Sequence, residues 1–241
     1  MDFAERVIPG ITSNFMYRQA RARYLFAKKY IRNKDKVLDA ACGTGYETIG
    51  IGIDNDPEAI SFAKKHYKAK FIVGDILNMP FTNNSFDIIT SFETIEHVDA
   101  NKFLTEVKKV LKRNGTLILS TPRENGPSNS PYHIKEFTAK ELEILLKRYF
   151  KSVKFFGQGS STKAQKAWDD FMMSQQSRQN LVNSDIISFR KLFPKKLKEL
   201  IWRYLGNWFF KRNTQEDLTE KDFPIVKFSN SCQTLIAICS R

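Results

Sequence analysis

Short apolar runs that each end in a small, polar or acidic residue recur along the first half of the chain, and this rhythm constrains the fold most. They are Lys36–Asp39, Ile49–Asp54, Lys70–Gly74, Phe86–Thr90 and Gly115–Ser120. Helical patterns separate them at Pro57–Tyr67 and Ala100–Leu111. Strands alternating with helices predict a parallel sheet covered on both faces. Ahead of it, residues 14–31 read as a helix with apolar Phe15, Tyr17, Tyr24, Leu25, Phe26 and Ile31 among many basic residues. Beyond it, a helix signal from Thr138 to Phe150 leads into a strand at Ser152–Phe156, and Gln233–Cys239 within Ser229–Ser240 makes a final strand. Between these, Ser160–Asn183 is polar and Phe189–Asn213 is basic and aromatic, as expected of an insertion into the last hairpin. The expected organisation is an N-terminal helical cap at 1–35, a core at 36–157, a basic aromatic helical insertion at 158–222 and the last core strand at 223–241.

Composition supports one sizeable core. The 241 residues are 41% hydrophobic with 20 Phe, which excludes global disorder. No apolar run approaches the roughly 18 residues of a membrane-spanning helix. Met1–Gly10 carries Asp2 and Glu5 and lacks the apolar stretch of a secretory signal. Cys42, Cys232 and Cys239 have no metal-type spacing and suit a reducing, cytoplasmic setting. A net charge of +13 suits nucleic acid, anionic lipid or a phosphorylated partner without choosing among them.

The strongest local signal is VLDAACGTG at residues 37–45. A strand ends in Asp39, and Gly43 and Gly45 let the backbone turn tightly against a ligand. Asp54 closes the next run, where a carboxylate suits two ribose hydroxyls, and Asp75 follows the third, where it can accept from an adenine amino group. The fourth run ends at SFETIEH, residues 91–97. Successive polar strand ends describe one crevice at the carboxyl edge of a sheet, where such folds bind ligands. Gly43 to Asp54 spans only 11 positions, against about 20 in dinucleotide-binding sheets. The spacing leaves room for about one helical turn, so either the first crossover is stunted or residues are missing from it.

Together the motifs VLDAACGTGY, GIDNDPEAI, VGDILNMPF, SFDIITSFETIEHV, LKRNGTLILSTP and PYHIKEFT resemble the class I S-adenosylmethionine-dependent methyltransferases. The match runs from about Arg23–Tyr24 to Phe156 and looks most like the branch that methylates sugars, glycolipids, quinone precursors and other small acceptors. The resemblance implies a Rossmann-like, doubly wound, mostly parallel seven-stranded sheet with helices on both faces and an antiparallel last strand. It implies S-adenosylmethionine as cofactor, with Asp39, Ala41, Gly43 and Gly45 around its methionine part. Asp54 and Asn55 would hold the ribose, Asp75 and Ile76 the adenine, and Phe92 would line the pocket near the sulfonium. Another nucleotide-binding domain, such as a dehydrogenase, fits less well, because the third spaced glycine of a pyrophosphate site is missing. The expected activity is methyl transfer to a small-molecule, sugar or lipid-linked acceptor, most simply at oxygen. An alcohol acceptor gains from a general base, and imidazole suits that role. His133 is the first candidate and His97 the second, with Glu96 orienting one of them.

If a helical turn begins after the fourth strand, Glu93, Glu96 and His97 share one face. With His133 they could hold a divalent ion, as in the metal-dependent small-RNA 2′-O-methyltransferases and some quinone O-methyltransferases that this arrangement resembles. The plainer alternative has the glutamates shaping the pocket and His133 touching the acceptor. The alternative functions are therefore a metal-dependent RNA 2′-O-methyltransferase, which the charge of +13 favours, and a non-catalytic cofactor-binding protein, which the short crossover favours.

Leu197, Leu200, Ile201, Tyr204, Leu205 and Trp208 form one helical stripe within a segment, residues 190–212, that carries eight basic residues and one acid. Such a helix fits a lid over the domain first and a peripheral contact with anionic membrane second. Nucleic acid is favoured least, because the aromatics lie inside the stripe and are not interleaved with the basic residues. His66 reads as a surface residue and Cys42 as a packing residue.

Overall fold

A computed structural model describes residues 6–124, 130, 132–183 and 217–241, without side chains at 174–183. The predicted segment at 190–212 lies outside the described residues. Helix α1, Asn14–Lys28, starts where the Ser13 hydroxyl accepts from the Met16 amide. It leads into strands β1, Val37–Ala40, and β2, Ile51–Asp54, then helix α2, Pro57–His66, and strand β3, Lys70–Val73. Asp56 caps α2 and Pro57 opens it, the residues a helix start calls for. Strand β4, Phe86–Phe92, is followed by a 3₁₀ turn at Ile95–His97, helix α3, Ala100–Val110, and strand β5, Leu111–Pro122. Helix α4, Ala139–Lys147, begins in a reciprocal capping box between Thr138 and Glu141. Then come β6, Ser152–Gln158, helix α5, Thr162–Asn183, and strands β7, Ile225–Lys227, and β8, Thr234–Ser240.

The strands form one sheet in the order β3-β2-β1-β4-β5-β8-β6-β7. β1 to β5 pair in parallel, whereas β8 runs antiparallel between β5 and β6. The expected doubly wound, mostly parallel sheet is present, with eight strands where seven were expected. The additional strand, β7, is only Ile225-Val-Lys227, paired with the outer edge of β6 through residues 156–158. Three residues after Pro224 are too few for a period-2 pattern to register. On one face, Phe103, Leu104 and Val107 of α3 and Leu142 and Leu146 of α4 pack on Leu38, Ile89, Leu117 and Leu119. On the other, Phe26 and Ala27 of α1 cover Val37, Ile88 and Ile118. Each fully buried aliphatic or aromatic side chain contributes roughly 1.5–3 kcal/mol, which is why these stripes fix the layers.

The first crossover is indeed short, with no helix across residues 41–50. Phe71 of β3 and Ala63 of α2 fill the space instead, packing with Cys42 and Ile60. Gly45 (φ +74°) permits this, since a β-carbon there would lie 2.4 Å from the Phe71 ring. Gly50 (φ +81°) likewise brings the chain against the Val37 carbonyl, where a β-carbon would sit 2.5 Å from the oxygen. Both glycines therefore serve close packing in a left-handed turn.

Candidate active site

The carboxyl ends of β1, β2, β4 and β5 and the turn after β3 open on one cleft of 1160 Å³. That exceeds the roughly 300–1,000 Å³ of ordinary small-molecule sites, enough for a nucleoside cofactor and a second reactant. Of the residues expected around a cofactor, Ala41, Gly43, Asp54, Asn55, Asp75, Ile76 and Phe92 line this cleft. The Gly43 amide donates to Asp54 Oδ2 at 2.8 Å, and the Asp56 amide donates to Oδ1 at 3.0 Å. Each oxygen keeps a second lone pair for a ligand hydroxyl. Burial raises the Asp54 carboxyl, opposed by the Gly43 amide and by Arg6. Ala41 sits at φ +62°, unusual for a residue with a side chain and found here where the turn bends over the strand end.

Asp39 and Gly45 are not on the cleft surface. Asp39 is 1% exposed and accepts hydrogen bonds from Tyr24 (3.0 Å), Thr48 (2.7 Å) and Thr90 (2.9 Å). Burial pushes its carboxyl up and these hydroxyls pull it down. It ties α1, the crossover and β4 together behind the glycine turn, a convergence a strand-end acid alone does not reveal. Gly45 meets Phe71, as above. The Tyr24 ring that reaches Asp39 also packs edge-on to Phe92, with centroids 4.8 Å apart, and both line the cleft.

Another part of the cleft wall is built from the turn after β4, the end of β5 and the loop before α4. Glu96, His97 and His133 come together, with their candidate ligand atoms all within 4.8 Å of one another. The His97 and His133 rings meet edge-on at 4.8 Å. Each imidazole is oriented through Nδ1: that of His97 donates to the Tyr132 carbonyl at 3.1 Å, and that of His133 donates to Glu136 at 2.6 Å. With Nδ1 protonated, the basic nitrogen of His133 is Nε2. Glu96 is fully buried; its Oε2 accepts from Thr121 at 2.8 Å, while Oε1 has no hydrogen-bond partner and lies 3.9 Å from His97 Nε2. Burial first, and the Glu93 charge second, push its carboxyl up to about 8. Its backbone carbonyl accepts from the Ile134 and Lys135 amides, which pins the His133 loop to the 3₁₀ turn.

Glu93 does not join that group, contrary to the shared helical face expected from spacing. It adopts φ +50°, and the helical turn starts only at Ile95. Its carboxylate turns instead to the Ser120 hydroxyl at 2.6 Å. Sequence reasoning also missed Tyr24, Ser120, Thr121 and Glu136. Only Glu136, three residues after His133, carried a local signal.

A buried carboxyl that is neutral below about pH 8 has a measurable consequence. The unfolded chain releases this proton near 4.5, so the folded state holds more protons between about pH 4.5 and 8, and stability falls as pH rises through that window. Melting in chelator is expected to drop from pH 5.5 to 8.5, at about 2–4 °C per kcal/mol. Glu96→Gln should flatten the profile; an unchanged slope would show that another group causes it.

A family model described as a methyltransferase domain matches residues 31–180, and the chain belongs to that family. A probable S-adenosylmethionine-dependent methyltransferase of Mycolicibacterium smegmatis is 31% identical over 160 residues, 59% of this chain and 62% of that protein. The demethylmenaquinone methyltransferase of Thermotoga maritima is 36% identical over 129 residues, 48% of this chain and 53% of that protein. The chain thus spans between half and two thirds of these relatives. A solved structure from Thermotoga maritima, described as an S-adenosylmethionine-dependent methyltransferase and possible histamine N-methyltransferase, superposes with a TM-score of 0.61 at 16% identity, covering 94% of this chain and 92% of that one. At that identity it shows the shared fold.

Proposed function

We propose that the chain methylates a hydroxyl oxygen of a small-molecule, sugar or lipid-linked acceptor, using S-adenosylmethionine. The carrying observation is that Asp54, Asp75, Ile76 and Phe92 share one cleft with Glu96, His97 and His133. When bound, the cofactor supplies a methyl group already activated on a sulfonium. In this reading Asp54 accepts the ribose hydroxyls, Asp75 accepts from the adenine amino group while Ile76 packs on the ring, and Phe92 with Tyr24 keeps water from the reacting end. His133 takes the acceptor's proton at Nε2, with Glu136 holding the resulting imidazolium in place, and Glu96 positions the loop. Such a reaction is dominated by alignment of the reacting groups, and a base adds to it. Transfer of a radiolabelled methyl group to a panel of sugars, quinols and lipid-linked glycans tests the reading. Label in an ether product supports it; label on nitrogen or carbon only would overturn the oxygen assignment.

A second reading is favoured by one observation, the partnerless buried Oε1 of Glu96 facing His97. A divalent ion held by Glu96, His97 and His133 would satisfy that oxygen, with Glu136 and the Tyr132 carbonyl orienting the imidazoles in the manner of outer-shell partners. Bound there, the ion would lower the pKa of the acceptor hydroxyl. Loss of methylation in chelator, restored by Mg²⁺ or Mn²⁺, would favour this reading; full activity in chelator would leave His133 as the base. An RNA acceptor would instead show binding that weakens steeply between about 50 and 200 mM salt. For residues 190–212 the sequence supports a lid first, and reversible contact with anionic membrane is the alternative that vesicle binding tests. If the segment makes that contact, co-sedimentation should require acidic lipid and fall with salt, whereas equal binding to neutral vesicles, or none, would leave only the lid.

A further inference from the structure

On the wall of the same cleft as the histidines, a guanidinium and a carboxylate face each other without closing. Arg23 NH1 lies 3.9 Å from Glu93 Oε1, about 1 Å beyond a charge-assisted hydrogen bond. Both groups are anchored from behind. Arg23, 7% exposed, donates through NH1 to Gln158 at 2.9 Å, and the buried Gln158 in turn donates to the Gln19 carbonyl. Its Nε has no hydrogen-bond partner. Glu93 is held by the Ser120 hydroxyl, and Ser120 Oγ also accepts from the Glu93 amide at 3.2 Å. Glu93 further stands at φ +50°, a left-handed conformation that glycine adopts more cheaply and that the fold maintains at the cleft wall.

We propose that Arg23 and Glu93 form a hydroxyl-reading subsite and that the acceptor is polyhydroxylated: one hydroxyl bridges this pair while another is presented to His133. This deepens the methyl-transfer reading and rests on it for the second hydroxyl. An oxygen about 2.8 Å from each partner spans a 3.9 Å gap comfortably. The bridging group must accept from the guanidinium and donate to the carboxylate. A hydroxyl does both, whereas an ammonium offers no acceptor and a carboxylate no donor. Water meets the same requirement and would be the group the acceptor displaces. The pairing also explains why a nearly buried arginine and a strained glutamate flank the cleft without forming a closed ion pair.

Saturation-transfer NMR on the full chain, with no nucleoside present, tests the subsite separately from methyl transfer. The probes are cyclohexane-1,2-diol against cyclohexanol, and catechol against phenol, which also separates a sugar-like from an aromatic ring. The parent protein should show severalfold stronger transfer to the diol of at least one pair. Glu93→Gln, which keeps size but removes the charged acceptor, and Arg23→Lys, which keeps charge but loses the fork, should each erase that preference. If one variant does not fold, the other decides. Equal or absent transfer to all four probes, or a preference that survives substitution, would overturn the proposal. Failure of the full chain to bind S-adenosylmethionine would overturn the methyl-transfer reading while leaving a diol preference intact.

Discussion

Replacing His133 by Ala is expected to lower methyl-transfer turnover by about 10²–10⁴-fold, the usual worth of a positioned general base. Cofactor affinity should change little, because the proposed reading places His133, grouped with Glu136, Glu96 and His97, against the acceptor and not the cofactor. The split between turnover and cofactor binding separates a chemical role from a structural one. Glu136→Gln should give a smaller loss, since it weakens the orientation of the imidazole without removing it. Steady-state turnover and equilibrium cofactor binding, measured on the same preparation, check both. Unchanged turnover in the alanine variant would remove His133 from the mechanism.

Asp54→Ala should have the opposite signature, a loss of cofactor binding. Hydrogen bonds to a charged group contribute about 1.5–3 kcal/mol each, and two ribose hydroxyls on one carboxylate predict a loss of roughly 10²–10⁴-fold in affinity. Part of that loss is indirect, because Asp54 also anchors the Gly43 amide and the Asp56 amide. Asp54→Asn separates the contributions: its side-chain oxygen can still accept from one amide, but it lacks the charge. Titration with S-adenosylhomocysteine provides the readout, and near-parent affinity for Asp54→Ala would place the ribose elsewhere.

The layers of this fold are legible in the sequence because period-2 and period-3.6 apolar patterns report directly on burial. The runs at Val37, Ile51, Phe71, Ile88 and Leu117 became the parallel strands, and the brevity of the first crossover was countable. What escaped depends on contacts distant in sequence or on local backbone exceptions. Asp39 reads as a ligand contact until Tyr24, Thr48 and Thr90 are seen converging on it from three elements. Glu93 reads as the first position of a helical face, and only its left-handed backbone turns it toward Ser120. The meeting of His97 with His133 crosses 36 positions of chain, and the link is the pair of amides that Ile134 and Lys135 donate to the Glu96 carbonyl. Strand β7 is too short for any pattern, and it forms because the β6 edge offers it partners.

The central claim is that a sheet with so short a first crossover still builds a cofactor site, with Phe71 and Ala63 taking the place of the missing helix. Isothermal titration of the full chain with S-adenosylmethionine tests this most directly. One site per chain with micromolar affinity is predicted, within the usual range of about 1 μM to 1 mM for substrates, and Asp54→Ala should abolish the heat. Absence of detectable binding by the folded parent chain would contradict the account.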